Sequence, residues 1–139
     1  MEEIYIDASE QVMGRLASKI ARELLKGNKV YVINAEKSMI SGDPKHVLKT
    51  YQEKINRGDP YHGPFSPKTS EIIFKRVVRG MLPKKARGRE ALKGLRVFRS
   101  RLESFEGKEF KKFEETKIKR DQSYMDLGKL SKKLGARSR

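Results

Sequence analysis

The run from residue 4 to residue 35 limits the fold more than any other part of the chain. "IYIDA" (4–8) is a short apolar stretch of β-forming residues and predicts a strand. "SEQVMGRLASKIARELLKG" follows. In it Val12, Met13, Leu16, Ala17, Ile20, Leu24 and Leu25 recur at the spacing of an amphipathic helix. Ser9 stands where an N-cap belongs, and Gly27 where a helix stops. Lys19 and Glu23 are placed to pair on the outer face. "KVYVINA" (29–35) is a near-continuous apolar run, which suits a strand buried on both faces. Strand, helix, strand over so short a stretch is the βαβ unit, which implies parallel pairing through a right-handed crossover.

The rest of the chain continues the α/β reading. "KSMISG" (37–42) predicts a short strand before a turn. "DPKHVLKTYQEKI" (43–55) opens with Asp and Pro, a favourable helix start, and carries Val47, Leu48, Tyr51 and Ile55 as its stripe. "NRGDPYHGPFSPKTS" (56–70) is rich in Pro and Gly and predicts a long loop. "SEIIFKRVVRGML" predicts a helix capped by Ser70, with Glu71 at its positive end. Ile73, Val77 and Met81 line one face of it, Phe74, Val78 and Leu82 widen that face, and Lys75, Arg76 and Arg79 share the remainder. Pro83 ends that helix. "GREALKGL" gives a second short helix, and "RVF" (96–98) a last short strand. Beyond it, Phe110 and Phe113 are three apart. Leu127, Leu130 and Leu134 then mark a short helix between Ser123 as cap and Gly135 as stop. The expected division is a body over 1–101 and a charged C-terminal extension over 102–139.

Charge separates the two halves. The chain has 139 residues, 33 Lys and Arg against 18 Asp and Glu, and a formal net charge of +15. Residues 1–70 hold 11 basic and 9 acidic side chains, whereas residues 71–139 hold 22 and 9. A surplus this large repels itself in a compact state unless a polyanion neutralises it. Nucleic acid is the first candidate and an acidic membrane surface the second.

Other chemistries lack their residues. There is no cysteine, so disulfides, thiol nucleophiles and Cys-based zinc sites are excluded. No run of 18 apolar residues exists to cross a membrane as a helix. The opening "MEEIYIDA" is unlike a signal peptide, and the expected compartment is the cytoplasm. After the first strand Gly14 stands alone, and no GxxxxGK[ST] occurs, so an α/β nucleotide enzyme lacks its phosphate loop. His46 and His62 have no ligand-spaced partners. Asp7 and Asp43 read as turn or cap residues. No catalytic residue, cofactor, metal or small-molecule substrate is expected.

The basic region carries the functional signal. Lys75, Arg76, Arg79, Lys84, Lys85, Arg87, Arg89, Lys93, Arg96, Arg99 and Arg101 fall within 27 residues. An ordinary solvated face would intersperse acids as i,i+4 partners. Between Glu71 and Glu103 only Glu90 does so. Arg grips phosphate through a planar fork, and the glycines among these residues let backbone approach a partner. Arg57, His62 and Lys68 in the Pro-rich loop are candidates for a further contact. No helix-turn-helix, zinc-finger, RNP or GXXG pattern distinguishes DNA from RNA. On the residues alone, the reading is nucleic-acid binding through backbone and shape.

"RGMLPKKARGREALKGLRVF" resembles the signature of the large-subunit ribosomal protein thirteen family. "DASEQVMGRLASKIARELLKGNKVYVINAEKSMISG" is similar to that family's N-terminal half. The likeness runs from about Tyr5 to Arg99, and "DLGKLSKKLGAR" looks archaeal. The resemblance implies a three-layer α/β/α domain with a small, mostly parallel sheet. It also implies a non-enzymatic structural constituent of the large subunit that binds 23S-type rRNA and supports assembly. Neighbouring ribosomal proteins are the other partners it implies, and no membrane. Family RNA contact falls on Arg79 to Arg89. An RNA-binding regulator of translation working outside the ribosome would use the same patch.

Overall fold

The computed structural model describes residues 2–57, 61, 67–100, 107–119 and 122–135. In chain order the elements are β1 (Glu3–Asp7), α1 (Met13–Leu25), β2 (Lys29–Ile33), β3 (Met39–Ser41), α2 (Pro44–Asn56), α3 (Ser70–Met81), α4 (Ala86–Leu92), β4 (Leu95–Val97), β5 (Tyr124–Asp126) and α5 (Leu127–Lys133). The fold is α/β with a small, parallel main sheet, as the sequence implies.

That sheet has the order β1-β2-β4. β1 pairs with β2 from Glu3↔Lys29 to Asp7↔Ile33, and β2 pairs with β4 from Val30↔Leu95 to Val32↔Val97. Alternation decides its faces. Ile4, Ile6, Val30, Val32 and Leu95 are buried on the inner face. They share one core with Met13, Leu16, Ala17, Ile20, Ala21 and Leu24 of α1 and with Ile73, Phe74 and Val78 of α3. The outer face carries Tyr5 stacked on Tyr31 at 5.1 Å, with Phe110 edge-on to Tyr5 at 5.7 Å. The segment holding Phe110 also extends the sheet edge. The Lys111 N–H donates to the Tyr5 carbonyl at 2.9 Å, and the Asp7 N–H donates to the Lys111 carbonyl at 3.1 Å.

Three helix starts show where local signals are outweighed. α1 begins at Met13 with Val12 as N-cap, not Ser9. Gln11 and Val12 are instead tied by bridges to distant segments: the Val12 N–H donates to the Thr116 carbonyl and the Met39 N–H to the Gln11 carbonyl. α3 is capped by Thr69, and Ser70 is its buried first residue. α5 is capped by Asp126, whose Oδ1 accepts from the Gly128 and Lys129 N–H groups at 2.8 and 3.4 Å; Ser123 has no part in it. α2 starts as expected, with Asp43 accepting from the Lys45 N–H ahead of Pro44.

Side-chain expectations also shift. Lys19 pairs with Glu115 at 2.6 Å and not with Glu23, which takes Lys26 instead. Met81 is 43% exposed, because the buried stripe of α3 runs through Phe74 and Val78 to Leu82 and leaves Met81 on its flank. Asp7 is a turn residue: Oδ1 accepts from the Ser9 N–H and the Asn34 amide, and Lys112 lies 3.7 Å from Oδ2. Burial opposes its ionisation, but the Ser9 and Asn34 hydrogen bonds and the Lys112 charge together hold its pKa below the usual carboxylate range. Its contribution to stability is therefore present above the ordinary carboxylate pKa and lost as pH falls through the lowered folded value.

The stretch expected as a basic tail is, over its described residues, part of the body. β5 pairs antiparallel with β3, and Leu127, Leu130 and Leu134 belong to the central core. Burial of these leucines outweighs the repulsion among the lysines beside them. Replacing Leu130 by Ala should cost about 2–5 kcal/mol in urea unfolding. A detached tail would leave the midpoint unchanged.

Candidate nucleic-acid interface

The site starts from the turn between two helices. α3 ends at Met81, the chain turns through Leu82 to Lys85, and α4 begins at Ala86. Leu82 is buried and anchors the turn, while Pro83 prevents α3 from continuing. Gly88 then brings α4 back onto the turn. A Cβ at Gly88 would lie 1.8 Å from the Pro83 carbonyl oxygen, a distance that no side chain tolerates.

This packing leaves a concavity of about 550 Å³ whose basic walls are Arg76 and Arg79 from α3, Lys84 from the turn and Arg89 from α4. All four side chains are exposed. Among the described residues, none of the four has an acidic side chain within ion-pair distance. Four cations converging without acids make a region of strong positive potential that suits a polyanion.

The remaining sequence-predicted residues divide. Lys85 is exposed at the start of α4. Arg87 and Lys93 face a different concavity, between α4 and the end of α1, and Lys93 is paired there with Glu90 at 3.1 Å. Arg96 follows inward-facing Leu95 on β4, so it belongs to the outer face of the sheet, in register with Tyr31. Arg99 is half-buried, and its Nε lies 3.7 Å from Glu71, which fixes the strand exit to the first turn of α3. Lys75 is half-buried, while Lys68 and Arg57 are exposed. His62 and Arg101 lie outside the described residues.

One basic residue escaped the sequence reading. Lys54 of α2 lines a third concavity of about 320 Å³ together with Tyr51, Pro67 and Arg76, and its Nζ sits 4.9 Å above the Tyr51 ring. The i,i+3 spacing of Tyr51 and Lys54 was the available signal. Among the described residues no three His, Asp or Glu side chains converge as a metal site requires. No described helix is long and apolar enough to cross a membrane.

Comparison with known proteins decides the lineage. The family model for ribosomal protein L13 matches residues 1–104. The chain belongs to the ribosomal protein L13 family. The large ribosomal subunit protein uL13 of Archaeoglobus fulgidus is 47% identical over 136 residues, covering 95% of this chain and 87% of its own. The uL13 of Aeropyrum pernix is 43% identical over 139 residues, covering 96% of this chain and 90% of its own. In Methanopyrus kandleri the corresponding protein is 52% identical over 94 residues, covering 67% of this chain and 59% of its own. The L13 match contains both helices of the concavity and the turn between them.

Gly88 offers a direct test of the arrangement. Gly88→Ala should force α4 off the turn and cost about 1–3 kcal/mol by overpacking. Thermal unfolding would show the loss, and nucleic-acid binding should weaken although no charge has been removed.

Proposed function

We propose that this protein is a non-enzymatic structural constituent of an archaeal large ribosomal subunit, in the cytoplasm, where it binds 23S-type rRNA and supports subunit assembly. The observation that carries the RNA-binding part is the convergence of Arg76, Arg79, Lys84 and Arg89 in one concavity, with no acidic partner among the described residues. The α/β body acts as a rigid platform. The turn at Pro83 sets two helices at an angle, so the cations meet phosphates from more than one direction. That arrangement suits a folded RNA, whose strands cross at short range, better than a straight duplex.

Lys85 and Arg87 extend the surface around α4, and Arg96, on the other sheet face, is available to a separate RNA segment. Lys75, Lys93 and Arg99 are weaker participants because they are half-buried or paired. Arg57, His62, Lys68 and Arg101 complete the proposed contact set. The ribosomal setting is supported by the relatives' names, and neighbouring large-subunit proteins are the other partners we assign.

Two measurements test this reading. Tagged protein expressed in an archaeal host should co-sediment with large subunits in a high-Mg²⁺ gradient. Recovery only in the light fractions would favour an RNA-binding regulator outside the ribosome. In vitro, the triple replacement of Arg79, Arg87 and Arg89 by Ala should weaken binding to 23S-type rRNA. It should also flatten the dependence of log K on log salt by roughly one unit for each phosphate no longer neutralised. Weaker binding with the slope unchanged would contradict phosphate recognition, and a melting curve on the same variant would reveal damage to the fold.

A further inference from the structure

Gly80 has no role that the fold explains. It lies in the last turn of α3, and its φ is outside the left-handed region that favours glycine. A Cβ built on it meets no atom of the described residues within 4 Å beyond its own stretch of helix. Alanine is a better helix former at such a position, because glycine loses more backbone freedom on folding. The fold would therefore accept a side chain here and gain from it.

The surroundings of Gly80 are distinctive. It lines the concavity of Arg79, Lys84 and Arg89 on one side of α3 and the concavity of Tyr51, Lys54 and Pro67 on the other. Arg76 also borders both. Gly80 is thus a low point on the ridge between two concave surfaces, with a cation on each side. The C-terminal end of a helix carries partial negative charge, which alone disfavours phosphate. Arg76, Arg79, Lys84 and Arg89 outweigh it with whole charges.

We propose that one sugar–phosphate strand of the bound RNA crosses α3 over Gly80, passing from the Arg79–Lys84–Arg89 concavity into the Tyr51–Lys54 concavity. The missing side chain lets that strand come within van der Waals distance of the helix. Any Cβ would hold its phosphates away from the flanking guanidinium groups. Gly80 is a positioning residue in this arrangement, since it supplies clearance and no charge. The inference rests on the phosphate-binding reading of the patch.

Gly80→Ala and Gly80→Leu test it, with full-length 23S-type rRNA as the probe and the intact chain as the protein. Both variants should melt at or above the parent temperature. Binding should weaken progressively with side-chain size, reaching roughly ten-fold for Leu, the equivalent of about one charge-assisted hydrogen bond. The salt slope should stay close to that of the parent, because no cation is removed. Unchanged affinity in both variants would overturn the crossing. A drop in melting temperature for Gly80→Ala would also overturn it, by placing the need for glycine inside the fold. The triple arginine variant keeps the two ideas separate: if it loses affinity and slope while the Gly80 variants bind normally, the patch stands and the crossing fails.

Discussion

Gly88 lies so close to the Pro83 carbonyl that no side-chain carbon fits between them, and the basic surface is arranged around that approach. Two backbones at such a distance fix both the direction and the rotation of α4 relative to α3. Pro83 alone would end a helix without saying where the next one goes. Buried Leu82 ties the turn to the core beneath it. The cations then inherit their positions from backbone geometry and not from long flexible side chains. Preorganisation of this kind reduces the ordering cost when a charged partner arrives.

The same region shows how the chain tolerates its charge. Glu71, the acid at the start of α3, is committed to Arg99, and Glu90 of α4 is committed to Lys93. Both acids are therefore drawn away from the concavity that holds Arg76, Arg79, Lys84 and Arg89. Repulsion among those four is a standing cost, moderated by solvent because all are exposed. The core on the other side of α3 opposes it: Ile73, Phe74 and Val78 are fully or almost fully buried, each worth about 1.5–3 kcal/mol.

Much of this is legible in the residues, and the failures share a cause. The βαβ unit, the Asp43–Pro44 helix start and the break at Pro83 depend on neighbours in sequence, and all are readable. The cap at Val12, the Lys19–Glu115 pair and the core placement of Leu130 depend on residues from the C-terminal segment, far away in sequence, and local patterns contain no trace of them. In the candidate site, the grouping of Arg76 with Arg79 follows from helical spacing. The separation of Arg96 from that group follows from strand parity, which needs the boundary of β4. The occupation of Arg99 by Glu71 and the approach of Lys54 to Arg76 need the tertiary fold.

The pairing of β3 with β5 joins residue 41 to residue 124, and Leu127, Leu130 and Leu134 fill the core only after that pairing is possible. Synthesis runs from the N-terminus, so the arginines and lysines of the α3–α4 turn leave the exit tunnel well before the leucines that complete the interior. For that interval the nascent chain presents its cations on an unfinished scaffold. Order of emergence thus separates the moment at which the chain presents its cations from the moment at which it becomes rigid.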